Sequence, residues 1–512
     1  MQRIPPVSNL TIHKSRAEFE HDIRAFDVVA VCGTVEGISV SPSDAYRNLR
    51  EVAQASFILQ SKSPENGASR YSYVCPVTEH VLRTGAGEAI GDVDPIDMLR
   101  SHMRSRTVAP ISDLPEIISG GFGYVAYEAV RHFEPSVGAL PPDPTDSPVS
   151  AFIFPRELLV FDHLLDQIHI VVFSSSADEF NKITERISNI SLEIVTDMIS
   201  SNALDNTHAD SPETPIPAVA SLDFQAMVRK AREAIIDGEL IQVVLGQRLE
   251  FHTTADALDL YKELTALNPS PYMYLLDLGD MQIIGASPEL MTRTVSGVAA
   301  IHPIAGTRPR GKTAEEDLQY EADLISSEKE LAEHVMLVDL SRNDLGRVCT
   351  PGTVTVRSLK HVERYSHVMH LVSRIEGHLA TGFDGIDAFR AGFPIGTLSG
   401  APKIRSIQLI AELEPEGRGP YCGGIGWFGA NGDVDIGTVI RSIVLKKGIA
   451  HIQGGAGIVF DSEPESENFE SLQKARAGVL AVKQAERKQR QPCERDTPVS
   501  RQRPNAATIP AE

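Results

Sequence analysis

Two glycine clusters, at 423, 424 and 426 and again at 454, 455 and 457, bracket Arg441, which closes the mainly apolar run from Ile436 to Ile440. Lacking a Cβ, these residues confine the segment to turns or to loops whose N–H groups approach another group closely. Hairpin turns and a cradle for an anion are both open at this point. Arg441 weights the second, because a guanidinium is a planar fork that grips a carboxylate through two hydrogen bonds. Further along, Glu467 and Glu470 stand three residues apart and share one face if helical. Neighbouring carboxylates repel unless a cation separates them, which suggests a hard, oxygen-preferring metal such as Mg2+. A solvated first helical turn, favoured by the helix dipole, is the plainer alternative.

Any anionic ligand has to be held by local devices, because 69 acidic against 48 basic residues leave a net charge of −21 over 512 residues. That balance argues against nucleic acid or an anionic membrane as the main partner. Five cysteines (32, 75, 349, 422 and 493) lie scattered with no C-x-x-C pair. They predict reduced thiols, no zinc site and a cytoplasmic protein. No stretch approaches the roughly 18 uninterrupted apolar residues of a membrane span, and the N-terminus lacks the apolar core of a signal peptide.

The chain reads as an N-terminal region over 1–199, a linker over 200–221, a second region over 222–484 and a disordered tail over 485–512. Leu158 to Phe161 and Ile168 to Phe173 predict a hairpin. The linker is read from Asn, Asp, Ser and Thr enrichment with prolines at 212, 215 and 217. Phe224, Met227, Val228, Ala231 and Ile235 fall at helical spacing, and Gly238 stops the helix. Residues 241–251 alternate as a strand, placing Gln242, Val244, Gly246 and Arg248 on one face. From Ser327 to Leu340 a helix is expected, with Ser327 and Glu330 forming a capping box.

Helix 327–340 supplies a second acidic pair, Glu330 and Glu333, spaced like Glu467 and Glu470. If the two helices face one another, their carboxylates would hold Mg2+ with positions left open for substrate oxygen. Gly396-Thr-Leu-Ser-Gly-Ala-Pro-Lys403 lacks the spacing and the final hydroxyl of a phosphate loop. It retains Thr397 and free N–H groups suited to a carboxylate. Gly306 and Thr307, in Pro303-Ile-Ala-Gly-Thr-Arg-Pro-Arg-Gly, offer similar donors, although a proline-stiffened hairpin end explains that segment equally well. Glu289 follows a strand ending at Gly285, and burial there would raise its pKa enough for a general acid; a solvated surface glutamate is the commoner outcome. His367 and His370 alternate with apolar residues; most such histidines are hydrogen-bonded members of the core, and only one of the two need touch a ligand.

Taken together, the 303–311 segment, Glu333-His-Val-Met-Leu-Val-Asp-Leu-Ser-Arg-Asn-Asp344, the 396–403 segment and the series from Tyr421 to Glu470 resemble the chorismate-utilising enzymes, and within them the large subunits of anthranilate synthases. The likeness covers 222–484, with further matches at Phe57–Ser61, Ser69–Tyr73 and Gly120–Tyr124. It implies an α+β fold in which two antiparallel sheets pack as a sandwich with flanking helices, the active site lying in the cleft between. It also implies that Glu333 and Glu470, with Glu330 and Glu467 beside them, bind Mg2+. Gly306, Thr307, Tyr421, Arg441, Gly455, Ala456 and Gly457 would line the chorismate site. His370 and Thr397 would sit near the ring, and Glu289 would protonate the departing C4 hydroxyl.

Two positions divide that family by chemistry. Members that add water at C2 carry a lysine where this chain has Gln242, and aminodeoxychorismate synthases usually carry one at the position of Ala305. The resemblance therefore implies attack by ammonia at C2, then loss of pyruvate to give anthranilate. 2-Amino-2-deoxyisochorismate or aminodeoxychorismate as product, and a non-enzymatic scaffold of the same fold, are the alternatives. With no Cys-His-Glu glutaminase unit in the chain, ammonia is expected from a separate glutamine amidotransferase subunit. Ser61, Pro271, Tyr272 and Met273 match the family's tryptophan effector site, with Gln60 where glutamate is usual.

Overall fold

The strands alternate apolar side chains on both faces, and this pattern is what stacks the molecule into layers. In the computed structural model, which describes residues 10–37, 40–51, 54–61, 70–111, 114–196, 224–364 and 368–490, every strand ladder is antiparallel. One run of paired strands goes from Gly400–Ala401 through Gln242–His252, Ile449–Ile458, Ser442–Lys446, Met281–Ser287, Tyr272–Asp277, Ser56–Gln60 and Tyr71–Thr84 to Ser150–Asp162. There the network forks. The first half of Ser150–Asp162 pairs with Gly121–Val125, leading through Gly424–Phe428, Val434–Thr438, Leu290–Val295 and Val298–Ile301 to Val368–His378. Ile304–Pro309 and Thr355–Arg364 also flank that last strand. The second half pairs with Gln167–Ser174, followed by Val29–Glu36 and Leu10–Ile12.

The antiparallel sheets and flanking helices of an α+β fold are thus present, with no break in hydrogen bonding dividing the strands into two sheets. Alternation does the dividing. Val29, Val31, Leu159, Ile170, Leu275 and Ile284 point into a core shared with helices, while Ala30, Leu158, Val160, Val171, Tyr274 and Ile283 point into a second core built mostly from strands. At the centre of that second core Trp427 meets Phe57, Tyr73 and Phe122 edge-on, with centroids 5.5, 5.6 and 5.6 Å away. A third core lies between the other arm and helices Glu328–Gly346, Gly385–Gly392 and Lys403–Leu413.

The expected hairpin forms, as Ser150–Asp162 against Gln167–Ser174, and the expected helix and strand are Phe224–Ile236 and Gln242–His252. Ladders also cross the N-terminal boundary read from the sequence: Ser56–Gln60 pairs with Tyr272–Asp277, and Gly121–Val125 with Gly424–Phe428. Residues 485–490, read from the sequence as part of the tail, belong to helix Pro464–Arg490. The linker, residues 491–512 and His367 lie outside the described residues. No helix among the described residues is long and apolar enough to cross a membrane.

Candidate active site

A cavity of about 550 Å3 opens where strands Gln242–His252, Ile304–Pro309, Val368–His378 and Ile449–Ile458 meet the first turns of helices Glu328–Gly346 and Pro464–Arg490. Glu289, Gly306, Thr307, Glu330, Glu333, His370, Thr397, Tyr421, Arg441, Gly455, Gly457, Glu467 and Glu470 all line it. Segments as far apart as 289 and 470 therefore meet at one cavity. Helix Pro464–Arg490 comes this close because residue 454 has no side chain: a Cβ on Gly454 would lie 2.2 Å from the Ser471 carbonyl oxygen.

Glu289 is buried in the wall, and Thr397 Oγ1 donates a hydrogen bond to its Oε1 at 2.7 Å. Burial pushes the carboxyl up to about 7, against smaller opposing effects from the Thr397 hydroxyl, the Ile304 N–H and the Lys474 charge. Near neutral pH a substantial part of it is thus the uncharged carboxylic acid.

Opposite, Ile304–Pro309 pairs with Val368–His378 through a bulge between Ala305 and Thr307. Gly306 occupies the bulge at φ +65°, a conformation that suits glycine. His370 Nδ1 lies 3.2 Å from the Gly306 carbonyl oxygen and 3.0 Å from Thr307 Oγ1. A carbonyl only accepts, so the Nδ1 carries the proton. Burial first, with the Arg441 charge adding to it, depresses the imidazole to about 4 and keeps it neutral.

Arg441 sits between Val434–Thr438 and Ser442–Lys446 at φ +52°, an uncommon backbone state for a side-chain-bearing residue and one found at ligand-binding positions. Its Nη1 donates to the Lys474 carbonyl at 2.9 Å, and the residue lines the cavity. Glu330, Glu333, Glu467 and Glu470 line the same wall. Burial raises Glu333, opposed by the Gln242 amide and reinforced by the charge of Glu330; burial likewise raises Glu467, with Glu470 adding to it. Four carboxylates thus share one wall, the oxygen chemistry a hard divalent cation prefers. As the side chains stand, Glu333 accepts from Gln242 Nε2 at 2.6 Å, Glu330 pairs with Arg308 at 3.1 Å and Glu470 with Lys474 at 2.6 Å. Among the described residues no three acidic, histidine or cysteine side chains are gathered at ligating distance.

Several sequence expectations need correction. Gly424 and Gly426 lie within a strand paired on both edges, and with Gly423 they are absent from the cavity wall; they permit close sheet packing rather than anion contact. Ala456 is packed into the core against Leu245 and Ile458, on the strand face turned from the cavity. The capping box is half made, since Ser327 accepts the Glu330 N–H at 3.4 Å while the Glu330 carboxylate goes to Arg308. Conversely, Lys329, Gln453, Gln473 and Lys474 line the cavity and were missed, although Lys474 at i+4 from Glu470 was a readable signal.

A second cavity, of about 670 Å3, adjoins the first, and Pro288 and Ile304 line both. Ser61, Pro271, Tyr272 and Gln60 line it, and Gln60 Oε1 accepts from the Tyr261 hydroxyl at 2.6 Å. Met273 does not: strand alternation turns it into the helix-covered core.

A family model described as chorismate binding enzyme matches residues 38–479. Anthranilate synthase component 1 of Streptomyces coelicolor is 44% identical over 471 residues, spanning 90% of this chain and 90% of its own. The corresponding protein of Thermus thermophilus is 41% identical over 461 residues, spanning 87% and 96%. The crystal structure of anthranilate synthase component I from Streptococcus pneumoniae matches with a TM-score of 0.69 at 35% identity, over 82% of this chain and 94% of that one.

Proposed function

The chain belongs to the chorismate-binding enzymes, and from that premise we infer that it converts chorismate and ammonia to anthranilate and pyruvate. The observation that carries the reading is the meeting, in one cavity, of Arg441, the buried carboxyl of Glu289 and the four glutamates at 330, 333, 467 and 470.

Chorismate is a doubly negative ring compound, and an acidic protein has to neutralise it locally. Arg441 takes one carboxylate through its fork, while the N–H groups of Gly455 and Gly457 and the Thr307 hydroxyl offer neutral donors to the rest. Tyr421 forms an edge of the binding surface. Glu289, protonated and held by Thr397, gives its proton to the departing C4 hydroxyl as ammonia attacks C2. His370 adds no charge beside the ring. Gln242 and Ala305, both in the wall, supply no amine base or nucleophile, which favours ammonia over water. Glu333 and Glu470, flanked by Glu330 and Glu467, would hold Mg2+, which when bound supplies positive charge to a substrate carboxylate.

Ammonia comes from a separate glutamine amidotransferase subunit; the component 1 designation of the relatives supports a two-part enzyme. Tryptophan occupies the second cavity as an effector, in keeping with Ser61, Pro271 and Tyr272 in its lining. Among the described residues Cys32, Cys75, Cys349 and Cys422 are buried and none forms a disulfide, in keeping with a cytoplasmic location.

Purified protein given chorismate, Mg2+ and an ammonium salt at alkaline pH should produce the fluorescence of anthranilate, with pyruvate in equal amount. A product that keeps its enolpyruvyl group would replace this reading with a 2-amino-2-deoxyisochorismate synthase.

A further inference from the structure

Arg418 lies outside the cavity lining and is only 2% exposed, yet its guanidinium is spent on holding that lining. Nη1 donates to the Leu398 carbonyl at 3.0 Å, and Nη2 to the Val244 carbonyl at 2.7 Å. Nε and Nη2 also pair with Glu414, at 2.9 and 2.7 Å. The Arg418 carbonyl accepts from Gln453 Nε2 at 2.9 Å, and the guanidinium lies 5.9 Å from the centre of the Tyr421 ring. Leu398, Val244, Gln453 and Tyr421 are all wall residues.

A buried ion pair is poor value as a stabiliser, since desolvation cancels much of its attraction. What it does supply is geometry. A rigid fork with five donors fixes acceptors from three separate segments in one plane, which a lysine ammonium cannot do. The segment that needs fixing is Gly396–Ser399, a single four-residue helical turn, too short to hold itself. It carries Thr397, whose hydroxyl orients Glu289.

We propose that Arg418 is a positioning residue: by clamping the Leu398 and Val244 carbonyls from behind the wall, it holds the Thr397 hydroxyl on Glu289 and sets the Tyr421 ring against the substrate. The inference rests on the chorismate-amination reading of the cavity. It goes beyond it in giving a residue without substrate contact control over the proton donor.

The test uses Arg418→Met combined with Glu414→Gln, which removes both charges together and keeps an acceptor for the Gly246 N–H. Arg418→Lys runs beside it and decides the matter if the double variant does not fold. Both are compared with wild type by near-UV circular dichroism, melting temperature and the pH dependence of kcat/KM for chorismate at fixed free ammonia. The proposal expects folded protein with kcat/KM about 10- to 100-fold lower. It also expects the alkaline limb to move upward, because a loosened Thr397 no longer favours the ionised Glu289. A merely structural role would lower the amount of active protein and leave the limb in place. An unmoved limb or an unchanged rate overturns the proposal. Wild-type protein that leaves chorismate unaltered overturns the amination reading itself, so the two failures are told apart.

Discussion

Replacing Glu289 by Gln isolates the proton donor from the rest of the cavity. Glutamine can still accept the Thr397 hydroxyl, so the wall keeps its 2.7 Å contact while the acidic proton is lost. With a pKa of about 7, a quarter or so of Glu289 is protonated at pH 7.5. An ordinary glutamic acid would be protonated roughly one time in a thousand, so burial alone enriches the working form on the order of two hundredfold. Removing a general acid costs about 10²–10⁴ in rate. Wild-type kcat/KM for chorismate, measured at constant free ammonia, should fall about tenfold per pH unit above the pKa. The variant should be slow and flat through the same range. Stability moves the other way. The folded-state pKa is raised, so the stabilising contribution is complete below about 4.5 and is lost as pH rises through about 7. The glutamine variant lacks that loss and should melt no lower than wild type at pH 8. A wild-type profile level across neutrality, or a variant within about threefold of wild type, refutes the assignment.

Arg441→Lys keeps the charge and loses the fork; KM for chorismate should rise about ten- to a hundredfold, the equivalent of a charged hydrogen bond, in steady-state kinetics. Glu333→Gln should lose most Mg2+-dependent turnover, and a metal titration of what remains should show no saturation at concentrations that saturate wild type. In Gly454→Ala the new methyl meets the Ser471 carbonyl, so helix Pro464–Arg490 must shift; a loss of about 1–3 kcal/mol in denaturant unfolding, with reduced turnover, is expected. Millimolar tryptophan should slow chorismate turnover in wild type, and Tyr272→Ala should weaken that effect with no change in kcat in its absence.

What the sequence made legible was chemistry at fixed spacing. Glu330 with Glu333 and Glu467 with Glu470 announce themselves three apart, Arg441 stands out after an apolar run, and Gly306 and Thr397 belong to turns rich in donors; all of them reach one cavity. What it concealed depends on strand facing and on contacts between distant segments. The glycines at 424 and 426 look the same on paper as those at 455 and 457, but ladder partners on both sides commit the first pair to the sheet. Met273 and Ala456 were displaced by a single step of alternation. The acidity of Glu289 comes from burial among residues far from it in sequence, and the role of Arg418 from carbonyls some 20 and 174 positions away.

The most direct test is a crystal structure of the Glu289→Gln protein with chorismate and Mg2+. A ring carboxylate on Arg441, the metal among Glu330, Glu333, Glu467 and Glu470, and the C4 hydroxyl facing residue 289 is the predicted result. Chorismate seated away from Arg441, or with its C4 hydroxyl turned from residue 289, would contradict the account.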